Sequence, residues 1–305
     1  MRANLKLADT HIHLDKYPPE EAARMLREFR EEDGEFVVAV SMDLESARRI
    51  ERLARQYPGL VRPAYGFHPE QPLPDSEAEE ALFAWMEARA GAVETSAGMK
   101  ADGPEPPEGT RAGIPPGAAG AADAASGGSP RPRMAAVGEV GLPYYSRLEA
   151  AERGEALDEA GYVRLLERFV QFAARHGLPI VLHAVYEDAE TACGLLERYG
   201  VARAHFHWFK GSAAAAERMI GNGYYISFTP DLLYEDEIRE LALRYPESLV
   251  MSETDGPWPF EGPFAERPTH PSMTADVCRE WARLRGLGED EARAILLANA
   301  RRFYG

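Results

Sequence analysis

His11 and His13 stand two positions apart in the run Asp9-Thr10-His11-Ile12-His13-Leu14-Asp15, directly after the short stretch Leu5–Ala8. In an extended strand, side chains two apart leave the same face. Both imidazoles would then aim at one place while Ile12 packs the other way. Two imidazoles at that spacing are a natural pair of ligands for one transition-metal ion. Two unrelated polar residues at a strand end would look the same, so the reading depends on further ligands elsewhere in the chain.

Those ligands have candidates. Glu139 sits between glycines after an apolar run, where a carboxylate is costly to bury unless it is paired or holds a cation. His183 follows Pro-Ile-Val-Leu and reads either as a ligand or as a hydrogen-bonded core histidine. His205 and His207 are two apart, so both could face inward. His207 is preferred because the turn Trp208-Phe209-Lys210-Gly211 begins directly after it. Asp255 could cap the segment that follows, but Pro257 and Pro259 argue against a long helix there. Glu253 suits the role of a partner to a ligand better than that of a ligand.

The elements that must position these residues alternate. Strand-like runs cover Asn4–Ala8, Glu35–Ser41, Leu60–Phe67, Met134–Gly138, Pro179–His183, Arg203–His207, Tyr224–Phe228 and Ser248–Ser252. Helical patterns lie between them, at Pro19–Glu32, Leu44–Tyr57, Ser76–Ala90, Asp158–His176, Asp188–Tyr199, Ser212–Gly221 and Leu233–Arg244, and two more close the chain at Ser272–Arg285 and Glu289–Phe303. Eight strands each followed by a helix predict an α/β fold, a parallel (β/α)8 TIM-type barrel. An open doubly wound sheet is the alternative, weakened because no glycine-rich dinucleotide fingerprint follows the first strand. Catalytic groups of such barrels sit at the C-terminal strand ends. His11, His13, His68, Glu139, His183, His207 and Asp255 all fall there, and of the eight histidines only His176 and His270 lie elsewhere.

The 305 residues suffice for a sizeable core, and we expect one barrel over 1–305. The stretch 97–133 is dominated by Gly, Pro, Ala, Ser and charged residues. Such a composition buries too little surface to offset its chain entropy, which predicts a low-complexity disordered insertion, away from the active face and dispensable for chemistry. A formal net charge of −16 argues against a broad basic surface for nucleic acid, but not against a small site dominated by bound cations. No run is long enough to span a membrane, the N-terminus lacks signal-peptide features, and Cys193 and Cys278 suggest no disulfide framework. A cytoplasmic protein without a membrane or an obligate protein partner is expected.

The strings THIHLD, GFHP, GEVGLP, the LHA strand end, HWFKGS, SETDGPWPF and the terminal NARRFYG together resemble, in that order, the TatD family of metal-dependent hydrolases, which are amidohydrolase-like barrels. The match runs along nearly the whole chain outside 97–133. The resemblance implies divalent-metal phosphoester cleavage, with DNase activity in some members. It implies one ion held by His11, His13, Glu139 and Asp255, and a second held by Glu139, His183 and His207, with Glu139 bridging. Family members commonly carry an acidic residue where this chain has Pro143, and many carry Cys where it has Ile12.

From this set, two divalent ions would activate a water, with Asp255 as both ligand and general base. His68, Lys210 and, more weakly, Arg267 are candidates to meet the substrate phosphate. Mixed imidazole and carboxylate ligands suit Zn, Mn or Fe over Ca, and Mg is compatible with phosphate chemistry. Expected substrates are phosphoesters, with single-stranded DNA or DNA ends as candidates. Two further readings stay open. One is a hydrolase of a small amide, ester or lactone. The other is an inactive metal-bound barrel that binds a partner, against which the full ligand set argues.

Overall fold

The computed structural model describes residues 6–90 and 132–305. Eight strands form one sheet in sequence order: β1 (Leu7–Ile12), β2 (Gly34–Val40), β3 (Val61–Tyr65), β4 (Ala136–Gly141), β5 (Ile180–His183), β6 (Ala204–Phe206), β7 (Tyr225–Phe228) and β8 (Val250–Ser252). Every neighbouring pair from β1–β2 to β7–β8 is parallel. The expected (β/α)8 barrel is the observed fold.

The seam between β8 and β1 is closed by the residues that carry the candidate chemistry. The Asp255 N–H donates to the His11 carbonyl at 2.9 Å, and the His13 N–H to the Gly256 carbonyl at 2.8 Å. The Thr10 hydroxyl donates to the Ser252 carbonyl at 3.1 Å. The buried Asp9 carboxylate accepts from the Thr254 N–H at 3.1 Å and from its hydroxyl. Closing the barrel therefore sets His11 and His13 beside Asp255.

The helices are α1 (Pro19–Glu31), α2 (Leu44–Gln56), α3 (Ser76–Glu87), α4 (Tyr144–Arg153), α5 (Glu159–His176), α6 (Asp188–Tyr199), α7 (Ala213–Gly221), α8 (Asp236–Arg244), α9 (Thr274–Arg285) and α10 (Glu289–Tyr304). Asp43, Asp75, Asp158 and Ser212 start α2, α3, α5 and α7 by accepting a first-turn N–H. Outward strand residues such as Ile12, Val37, Ala39 and Ile180 pack under the helices. Inward residues Phe36, Val38, Val40, Val181 and Met251 fill the barrel, and Leu297, Phe303 and Tyr304 of α10 plug its floor. No helix among the described residues is long and apolar enough to cross a membrane.

Several boundaries differ from the sequence reading. β1 is Leu7–Ile12, running past the expected end at Ala8, and all six of its residues are buried; Asn4 and Leu5 of the expected strand lie outside the described residues. A strand covered on both faces shows no alternation to mark its ends. β4 likewise extends to Gly141, so Glu139 lies within the strand and not after it. Helix α4 was not expected at all. Its N-terminal amides at Tyr145 and Ser146 donate to the Glu70 carboxylate at 2.9 and 2.7 Å, a cap supplied from the loop after β3 that local sequence cannot reveal. α8 starts at Asp236 and not Leu233, because Pro230–Leu233 forms a separate 3₁₀ turn. The stretch 97–133, apart from Pro132 and Arg133, lies outside the described residues.

Candidate metal centre

Glu139 is the middle of the site, fully buried on β4. A Cβ on Gly141 would collide with the backbone of His183, and one on Gly66 with the Glu139 carbonyl. Glycine at these two positions lets β3, β4 and β5 approach until their functional groups share one space. Gly141→Ala is expected to cost about 1–3 kcal/mol by overpacking, read as a lower urea midpoint together with weaker divalent-cation binding. An unchanged midpoint would show that β4 and β5 tolerate separation there.

The two oxygens of Glu139 face different partners. Oε2 lies 3.1 Å from Nε2 of both His11 and His13. Oε1 lies 2.7 Å from His207 Nε2, 3.0 Å from His183 Nδ1 and 3.3 Å from His68 Nε2. Asp255 closes the first side, with Oδ1 3.5 Å from His11 Nε2 and 3.4 Å from His13 Nε2. Three overlapping groups have ligand atoms within 4.8 Å of one another: His11, His207 and Asp255; His11, His13 and Glu139; His68, Glu139 and His183.

Electrostatics bind the cluster together. Burial would raise the Glu139 carboxyl, but His68, His207 and His11 hold it well below the usual carboxylate range. Burial would likewise raise Asp255, and His13, His11 and His207 hold it down. Burial opposes charge on His13, yet Asp255 and Glu139 push it up to about 10. His183 and His207 are raised against burial, chiefly by Glu139. His11 is lowered by burial and by the neighbouring His207, whose ring stacks on it at 3.7 Å. In the metal-free protein, protons thus sit where a cation would balance the carboxylates, and metal binding would displace them.

The donor set fits divalent ions. It combines neutral-capable imidazoles with two carboxylates. Asp255 Oδ1 is buried without a hydrogen-bond partner, although it points at two imidazole nitrogens. Asp255, Trp208 and Tyr186 also carry positive φ angles of 48, 39 and 51° in the loops after β8, β6 and β5. Non-glycine residues held in that region cluster at functional sites.

His205 is fully buried inside the barrel, bonded to Tyr304 and Ser227, and outside the ligand groups. Glu253 accepts the Trp208 N–H at 2.8 Å and faces His207 Nδ1 at 3.6 Å. Lys210 lines the cavity but is engaged, with Nζ 3.6 Å from Asp231 and 5.2 Å from the Trp208 ring centre. Arg267 is exposed, lies over Phe264 at 5.4 Å and does not line the cavity. His68 lies close enough to Glu139 and His183 to be a ligand candidate as well as a phosphate contact.

Glu70 was missed. Its Oε1 lies 3.2 Å from His183 Nε2. Burial would raise its carboxyl, but His183 and the Ser146 amide pull it down to about 2. Its signal was a carboxylate two residues after His68 in a loop already identified with the C-terminal strand ends. The surrounding cavity holds about 810 Å³ and is walled by Tyr145, Trp208, Tyr234 and Trp258. Trp258 is 56% exposed. Glu149, Glu235 and Glu261 line it too, against two lysines, Lys16 and Lys210.

The family model described as TatD related DNase matches residues 8–102 and 112–305. A metal-dependent hydrolase of Haemophilus influenzae is 31% identical over 298 residues, covering 98% of this chain and 99% of that protein. A human protein named deoxyribonuclease TATDN3 is 23% identical, covering 99% and 96%. The crystal structure of YjjV, a TatD homologue of Escherichia coli K12, aligns over 99% of both chains with a TM-score of 0.72 at 24% identity.

Proposed function

Because the chain belongs to the TatD-related DNase family and is a metal-dependent hydrolase, we propose that it cleaves phosphoester bonds with two divalent ions, one on each side of Glu139. The observation that carries this reading is the split of the Glu139 oxygens, with Oε2 toward His11 and His13 and Oε1 toward His183 and His207. His11, His13, Glu139 and Asp255 would hold one ion, and Glu139, His183 and His207 the other. Divalent ions bound there supply Lewis acidity, which lowers the pKa of water and offsets charge on a phosphoryl group.

The chain's own groups do the rest. Asp255 Oδ1 accepts the proton of the attacking water, a role that needs an ionised carboxylate, and its lowered pKa keeps it so at neutral pH. His68 Nε2 lies beside the same centre and is placed to donate to a phosphoryl oxygen. Lys210, held by Asp231 at the cavity wall, adds a positive charge. The aromatic walls give stacking surfaces for flanking bases.

The acidic rim and the net charge of −16 disfavour the broad phosphate contacts that a long duplex requires. Single strands or DNA ends are therefore the favoured substrates, and the deoxyribonuclease name of the human relative supports nucleic acid as the class. The same acidic rim, with a cavity of about 810 Å³, favours a second reading, hydrolysis of a small ester, amide or lactone.

The test is turnover on end-labelled single-stranded DNA, blunt duplex and closed circular duplex, with Mg or Mn, beside a lactone and an amide. Single strands should be cut fastest and the circle hardly at all. Rapid cutting of the circle would sink the end-directed reading. Turnover of the lactone or amide with no phosphodiester cleaved would move the protein to the second.

A further inference from the structure

A column of buried polar groups runs through the barrel from its floor to the candidate metal centre, and its hydrogen bonds can be given one consistent direction. As a carboxylate, Glu253 can only accept. Its Oε2 lies 2.6 Å from the Ser227 hydroxyl, so Ser227 must donate to it. A hydroxyl has one proton to give. The second contact of Ser227, 2.6 Å from His205 Nε2, must therefore be one in which the imidazole N–H donates.

His205 is fully buried and its nearest carboxylate, Glu253, lies 4.0 Å from Nε2, beyond hydrogen-bond distance; a buried imidazolium without a paired charge is costly, so the ring is neutral and carries one proton. With that proton on Nε2, Nδ1 is an acceptor, and it lies 2.7 Å from the Tyr304 hydroxyl at the end of α10. Tyr304, pushed up by burial, keeps its proton; its hydroxyl faces both His205 Nδ1 at 2.7 Å and the Thr10 carbonyl at 3.3 Å, and it donates along the shorter contact, to His205. Each bond points the same way, from Tyr304 to His205 to Ser227 to Glu253. All four residues are nearly or fully buried.

We propose that Tyr304, His205 and Ser227 are positioning residues: a one-way hydrogen-bond chain that fixes Glu253 and, through it, the ring of His207. Glu253 Oε1 also takes the Trp208 N–H and faces His207 Nδ1 at 3.6 Å. His207 Nδ1 has no hydrogen-bond partner of its own, and the opposite nitrogen, Nε2, lies 2.7 Å from Glu139. An acceptor at Nδ1 selects the tautomer that leaves the Nε2 lone pair for a cation, the usual arrangement behind a metal-binding histidine. The chain also gives α10 a purpose beyond plugging the floor, because it ties the penultimate residue to the side of the site that holds His183 and His207. It explains a histidine that sits two residues from His207 yet ligates nothing in the candidate centre.

The assignment to the second ion rests on the two-ion reading; the tautomers do not, and this separates the two failures. The first measurement is nitrogen NMR of the metal-free wild-type protein at neutral pH. His205 should be neutral with its proton on Nε2. In Tyr304→Phe and Ser227→Ala, which remove only a hydroxyl, the fixed tautomer should give way to a mixture. A wild-type His205 that is protonated on Nδ1, or cationic, overturns the chain, as does a tautomer unmoved in both variants.

The second measurement is divalent-cation affinity of Glu253→Gln in two backgrounds, His13→Ala and His183→Ala, each disabling one side of Glu139. In His13→Ala, Glu253→Gln should weaken binding about 10–100-fold, the typical effect of losing such a partner. In His183→Ala the loss should stay within a few-fold. Equal losses in both backgrounds would mean general damage and overturn the positioning role, and so would no loss in either. Should neither background bind a cation before Glu253 is changed, the two-ion reading fails while the tautomer result still decides the chain.

Discussion

Glu139→Gln is expected to leave the barrel folded, to bind divalent cations weakly at either position, and to lose at least about 10³-fold in turnover. The size follows from the several kcal/mol that a Lewis-acid ion contributes to phosphoryl-type chemistry, with each 1.36 kcal/mol worth a factor of ten. Gln matches Glu in volume, so the packing of β4 against β3 and β5 is kept. What changes is charge and donor type. One carboxylate oxygen becomes an NH₂, which donates hydrogen bonds and cannot ligate a cation. Whichever way the amide turns, one set of imidazoles loses its acceptor: His11 and His13 on one side, or His183, His207 and His68 on the other. The raised pKa values of His183 and His207 owe most of their upward push to Glu139 and should fall. Metal content after saturation and dialysis, turnover at saturating metal and a thermal unfolding curve check this together. A variant that holds two ions and turns over normally would remove Glu139 from the site.

Much of this centre was legible because barrel topology converts sequence position into spatial position. Residues at the ends of β1, β4, β5, β6 and β8 must meet at one rim, so His11, His13, Glu139, His183, His207 and Asp255 could be gathered without knowing any contact. What stayed hidden depended on long-range partners. The Asp9 to Thr254 bonds that close the seam join residues far apart in the chain. Glu70 acts on α4 and on His183 at once, across two loops, and its place two residues after His68 reveals neither partner. His205 and His207 share a strand face, and spacing alone could not divide them. Depth along the barrel does so: one lies inside against Tyr304, the other at the rim against Glu139. Arg267 was a plausible phosphate contact by charge, but it lies over Phe264, off the cavity.

The distribution of charge around the rim has a consequence for substrate choice. A cavity with Lys16 and Lys210 against Glu149, Glu235 and Glu261 does not attract a polyanion from a distance. On the proposed reading, affinity would come from close range, from the cation-binding centre and from stacking on Tyr145, Trp208 and Trp258, which line the cavity. A bare phosphomonoester without an aromatic group should therefore bind more weakly than a short oligonucleotide, because it forgoes the aromatic walls.

Asp255→Asn should lower kcat by about 10²–10⁴-fold, the usual range for a lost general base, while KM moves only a few-fold. The substitution is mild in every other respect. Asn tolerates the left-handed backbone that Asp255 adopts at φ 48°, so the N–H bond to the His11 carbonyl that closes the barrel seam should survive. An amide oxygen can still lie where Oδ1 lies now, 3.5 and 3.4 Å from the imidazole nitrogens of His11 and His13, and so retain part of a cation's ligand set. It cannot take a proton at neutral pH. Wild-type Asp255 can, because His13, His11 and His207 hold it ionised against its burial. The measurement is kcat and KM on a short single-stranded substrate at saturating divalent metal, with bound metal quantified in the same samples. A loss of rate with metal content intact assigns the proton to Asp255. A loss that disappears once metal is restored would make Asp255 a ligand alone, and the base would have to be sought among the remaining carboxylates of the cavity, with Glu70 beside His183 as the first to replace.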